Sequence, residues 1–95
     1  MRLTTHQAEL IRSHISHSMG ANSRIWVFGS RVDPARKGGD VDLYVEPEQP
    51  VPLRQELQCR SELADALDLP VDLIVARPGQ DRPIYRIARS SGRPL

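Results

Sequence analysis

Two aspartates one residue apart, Asp40 and Asp42, stand in a run that otherwise reads as a strand: Asp40-Val41-Asp42-Leu43-Tyr44-Val45-Glu46. Side chains at i and i+2 of a strand share a face. Val41, Leu43 and Val45 therefore define an apolar side, and Asp40, Asp42 and Tyr44 the opposite one. Such a segment belongs in a sheet with one face against a core. Its other face carries two carboxylates that repel each other, and a divalent cation is the simplest species to reconcile them.

The elements around this strand follow from periodicity. From Thr5 to Met19, Ala8, Leu10, Ile11, Ile15 and Met19 recur at helical spacing, with Thr4 or Thr5 placed to cap the start and Gly20 to end it. Arg24-Ile25-Trp26-Val27-Phe28 is a β-branched and aromatic run closed by Gly29, which predicts a buried strand. Ser30 to about Arg36 is read as a short helix ended by Gly38-Gly39, and Pro47 to Pro52 as a loop. Leu53 to Leu67 predicts a second long helix with Leu53, Leu57, Leu63, Ala64 and Leu67 on its apolar stripe. Val71-Asp72-Leu73-Ile74-Val75 predicts a third strand. Pro83 to Ala88 reads as a short helical segment, and Ser90 to Leu95 as a basic, frayed end. Helices alternating with short strands predict an α/β (α+β) domain, a small mixed sheet with helices on one face and the other face partly open.

With 95 residues, the chain suits one small domain over 1–95, its last stretch (about 80–95) forming a C-terminal helix and tail. A domain this size buries about two-thirds of its unfolded surface, a modest core to which a partner or a second copy can add. The formal charge of +1 lacks a basic nucleic-acid footprint, and no sequence-specific DNA binding is expected. Cys59 is the sole cysteine, so no internal disulfide forms and a reducing cytoplasm is the expected location. No apolar run approaches membrane-spanning length.

The residues that carry chemistry converge on phosphate. If the strands neighbour each other, Asp72 joins Asp40 and Asp42 on the exposed face. Three carboxylates can hold two Mg²⁺ ions, which favour oxygen ligands, and such a pair stabilises the attacking and leaving oxygens of an in-line displacement at phosphorus. The Gly29-Ser30 turn lets a phosphate approach backbone N–H groups. Arg31, with Arg36 and Lys37, either supplies positive charge for a triphosphate or forms a solvated loop. Other features read more simply as structure. His6, His14 and His17 lack a completing ligand set for a metal. Trp26 and Phe28 suit packing, Cys59 a small core or boundary position, and Asp33 a local cap or salt bridge. Tyr44 is either sheet-face packing or a wall of the nucleotide pocket.

Gly29-Ser30, then Asp40-x-Asp42, then a later strand aspartate at Asp72 resembles the minimal nucleotidyltransferases (MNT) of the polymerase-β superfamily. The similarity extends over nearly the whole chain. It is nearest to the small prokaryotic type encoded beside a helical HEPN-type partner as a toxin–antitoxin pair. The resemblance implies the polymerase-β-like core and Mg²⁺-dependent transfer of NMP, most simply AMP from ATP, to a hydroxyl with release of pyrophosphate. It implies that Gly29 and Ser30, with Arg31, hold the triphosphate. Asp40 and Asp42 would bind both metals, and Asp72 would complete the catalytic metal site. It also implies an antitoxin role, in some relatives by attaching AMP to the partner toxin. Two other functions remain compatible with the residues: an antitoxin that neutralises its partner by binding alone, and a subunit that modifies a small molecule of the aminoglycoside type.

Overall fold

The first helix starts where the sequence supplies a reciprocal cap. The structure is a computed structural model and describes residues 3–28 and 41–95. Helix α1 spans Thr5–Met19. The Gln7 N–H donates to the Thr4 hydroxyl at 3.0 Å, and the Thr4 N–H donates to the Gln7 side-chain oxygen at 2.8 Å. Two N-terminal donors that the helix cannot satisfy internally are thereby paired. Ile11, Ile15 and Met19 form its buried stripe. Gly20 ends it with φ of +107°, a conformation that favours glycine.

Strand β1 (Arg24–Phe28) pairs antiparallel with β2 (Val41–Glu46), and β2 pairs parallel with β3 (Val71–Val75). Helix α2 (Leu53–Leu67) makes the crossover between β2 and β3, as a parallel connection requires. A further two-residue strand, β4 (Arg93–Pro94), pairs antiparallel with β1, and the sheet order is β3-β2-β1-β4. The expected frayed end is thus corrected. Pro94 and Arg93 lie opposite Trp26 and Val27, and the Leu95 N–H donates to the Ile25 carbonyl at 2.9 Å. The expected short helix from Ser30 to about Arg36, with its Gly38-Gly39 end and Asp33, falls outside the described residues.

The period of two sorts the sheet into unlike faces. Ile25, Val27, Val41, Leu43, Val45, Val71 and Val75 pack with Ile11, Ile15 and Met19 of α1 and with Cys59, Leu63 and Leu67 of α2. The two long helices share this face. Leu53 and Leu57, expected on the apolar stripe of α2, are 56% and 43% exposed. At 100° per residue they sit about 80° and 120° around the helix from Leu63, beyond the buried arc. The other face is not bare. The short helix α3 (Pro83–Ser91) lies on it, and Tyr85 and Ala88 pack with Phe28 and Tyr44. Glycine is required at Gly92, between α3 and β4. A Cβ there would run into the carbonyl oxygens of Ala88 and Val27. Among the described residues no helix is long and apolar enough to cross a membrane.

Candidate active site

Asp42 and Asp72 are direct partners across the parallel β2–β3 pair. Register partners point to the same side of a sheet, and neighbouring strands lie about 4.8 Å apart. Two carboxylates therefore rise side by side from one face. Their surroundings differ. Asp42 is only 4% exposed, with Phe28 of β1 opposite it on the other flank. Asp72 is exposed, because β3 is an edge of the sheet.

Desolvating a carboxylate is costly, and Asp42 is the buried charged side chain found among the described residues. Hard oxygen donors held in parallel suit a divalent cation such as Mg²⁺. Asp42 and Asp72 form a pair; no set of three His, Cys, Asp or Glu side chains arranged for a metal occurs among the described residues. Asp40 lies outside those residues, as do Gly29, Ser30 and Arg31 of the expected triphosphate cradle and the neighbouring Arg36 and Lys37. In the chain, Gly29 directly follows Phe28, and Asp40 directly precedes Val41.

Beyond the carboxylates, the same face carries an aromatic row. The rings of Trp26 and Tyr44 are 5.4 Å apart, and those of Tyr44 and Tyr85 are 5.2 Å apart and stacked. Tyr44 is fully buried. Its hydroxyl donates to Glu46 Oε2 at 2.9 Å and accepts from Arg89 Nη1 at 3.3 Å. Arg89 also meets Glu46 Oε2 at 2.9 Å, tying α3 to the end of β2. Burial, reinforced by the Glu46 carboxylate, pushes the Tyr44 phenol up to about 12. This residue thus serves packing and an internal network, though its edge also meets a cleft of about 350 Å³ between Glu46, Ala76, Arg77 and Arg89. That cleft opens at the far ends of β2 and β3 from Asp42 and Asp72. The period of two places Tyr44 and Glu46 on this face, but nothing in the local pattern signals Arg89, which meets Glu46 from 43 residues away.

The remaining candidates are structural in their placement. Cys59 is buried, and burial pushes its thiol up, away from the reactive range. His14 and His17 border a groove with Cys59 and Glu62 between α1 and α2.

Comparison with known proteins fits this geometry. Residues 13–94 match the family model described as "Polymerase beta, Nucleotidyltransferase". A solved structure titled as a toxin-antitoxin with AMP-PNP superimposes with a TM-score of 0.70 at 19% identity, over 97% of this chain and 72% of the other. A protein from Shewanella oneidensis gives a TM-score of 0.68 at 18% identity, over 97% and 71%. The toxin-antitoxin MntA-HpeT mutant Y104A gives 0.66 at 19%, over 97% and 71%. None of the curated protein sequences matches the chain. The structural likenesses, at such low identity, speak to the fold; the family match, spanning Asp42, Asp72 and most of the chain, makes this protein a member of the polymerase-β nucleotidyltransferase family.

Proposed function

We propose that the protein transfers a nucleoside monophosphate, AMP from ATP, to a hydroxyl acceptor on a partner protein, and that it acts as the antitoxin of a helical HEPN-type toxin. The observation that carries the reading is the register pairing of Asp42 with Asp72 on one sheet face of a polymerase-β family chain. The antitoxin assignment draws support from two structural neighbours titled as toxin-antitoxin, one of them with AMP-PNP.

Asp40, Asp42 and Asp72 would hold two Mg²⁺ ions, and Gly29, Ser30 and Arg31 would hold the triphosphate. Bound divalent cations would supply charge neutralisation at the transferring phosphorus and at the departing pyrophosphate. The chain's own part begins with Asp42, whose buried carboxylate has little freedom to swing away from its partner. Asp72, exposed at the sheet edge, would be the carboxylate that an incoming hydroxyl reaches, orienting that group and accepting its proton. The aromatic row beside them is packed and tied by hydrogen bonds, so the floor of the site is rigid.

Incubating the protein and its genomic neighbour's product with ATP labelled at the α-phosphate, and separately at the γ-phosphate, tests this. Label is expected on the partner from the α position only, with pyrophosphate released. Transfer of the γ label, or none in the presence of Mg²⁺ and partner, would overturn the proposal.

A further inference from the structure

The two edges of the sheet are managed in opposite ways. At one edge, β4 is two residues long and contains Pro94 beside Arg93, features that discourage further pairing. At the other, β3 presents Val71-Asp72-Leu73-Ile74-Val75 with neither proline nor lysine in the strand. The Val41 N–H donates to the Pro70 carbonyl and the Ala76 N–H to the Val45 carbonyl, each at 2.9 Å. Backbone groups alternate in direction along a strand. Asp72 and Ile74 therefore bond toward β2, and the N–H and C=O groups of Val71, Leu73 and Val75 turn to the outer edge. No strand among the described residues pairs there. A groove of about 170 Å³ runs beside this edge, bordered by Leu73, Ile74, Glu56 with its ion-paired Arg77, and the exposed Arg82, whose guanidinium stacks 5.8 Å over the Tyr85 ring.

The geometry points to β3 as the acceptor-docking edge: an extended polypeptide segment of the partner adds to it as a fifth strand and so delivers its hydroxyl to Asp72. This rests on the nucleotidyltransferase reading for its chemistry, but not for the docking itself. A residue opposite Asp72 on an added strand shares its face at a spacing of about 5 Å. The next residue on that face meets Ile74, and the one after it lies past the end of β3, beside the groove that Arg82 borders. For a segment running parallel to β3, the pattern that fits, from N- to C-terminus, is hydroxyl–x–apolar–x–acidic. In the transfer, the hydroxyl oxygen bonds to the α-phosphorus of a nucleoside triphosphate and the bond to the bridging oxygen breaks. Pyrophosphate leaves, and the hydroxyl proton passes to Asp72 or to water. A second copy of this chain fits less well as occupant, since β3 contains no hydroxyl-bearing residue.

The test uses a fluorescein-labelled peptide of the pattern Thr-Tyr-Thr-Val-Thr-Glu-Thr, titrated into the protein without nucleotide and read by anisotropy. Saturable binding is expected, and N-methylation at one set of alternate residues should weaken it about tenfold or more while the other set is tolerated. Arg82→Glu should weaken binding of this peptide, and replacing the peptide's Glu by Lys should restore it. No binding, or methylation effects without a period of two, would overturn the proposal. So would self-association of the protein by sedimentation that the peptide cannot displace, which would assign the edge to a second copy. Peptide binding that keeps the alternating pattern while no AMP transfer occurs would leave the docking edge standing and remove the catalytic reading.

Discussion

Asp42 is a carboxylate held at 4% exposure in register with a second one, Asp72, on the same sheet face. Even outer-shell partners of a metal site alter activity by about 10- to 100-fold when removed. Asp42→Asn is therefore expected to lower nucleotidyl transfer by about 100-fold or more, measured by α-label incorporation, with the far-ultraviolet spectrum unchanged. Tyr44 supports a different prediction. Its phenol titrates at about 12 in the native protein against an ordinary value near 10. Between those values the unfolded chain has released the proton and the native chain has kept it. Stability from this residue is thus complete below pH 10 and declines as pH rises toward 12. Urea unfolding at pH 9 and pH 11 should show a smaller loss in Tyr44→Phe than in the parent, and equal losses would refute the role assigned to burial.

Among the elements, the period of two and the helical spacing made α1, β1, β2, α2 and β3 readable from the sequence, along with the faces on which Asp42 and Asp72 lie. What escaped was long-range and short in span. A two-residue strand has no periodicity to detect, so Arg93 and Pro94 looked like a frayed tail although they pair with Val27 and Trp26. The position of α3 depends on Arg89 meeting Glu46 and Tyr44, contacts that no local pattern announces. Leu53 and Leu57 misled because the apolar stripe was drawn too wide: helix geometry turns these two beyond the buried arc. Gly29, Ser30, Arg31 and Asp40 lie outside the described residues, so that half of the expected site stays a reading of the sequence. The α3–β4 junction can be probed directly. Gly92→Ala would push a methyl group against the Ala88 and Val27 carbonyls. Crowding of this kind costs about 1–3 kcal/mol, which chemical denaturation should register.

For the whole molecule, the proposed metal and nucleotide tie function to stability. A ligand that binds only the native state stabilises it by mass action, by about 2.7 kcal/mol at one hundred times its dissociation constant. In a domain of 95 residues each kcal/mol moves the melting temperature by roughly 4–8 °C. Saturating Mg²⁺ with a non-hydrolysable ATP analogue should thus raise Tm by roughly ten degrees or more. Because the β1–β2 and β2–β3 pairings link the site to both core clusters, the stabilisation should appear as one cooperative shift rather than a separate transition. Asp42→Asn should abolish most of that shift. An unchanged shift in the variant would remove Asp42 from the binding site. A parent protein whose melting is indifferent to both ligands would refute occupancy of the site at those concentrations, whatever the fold resembles.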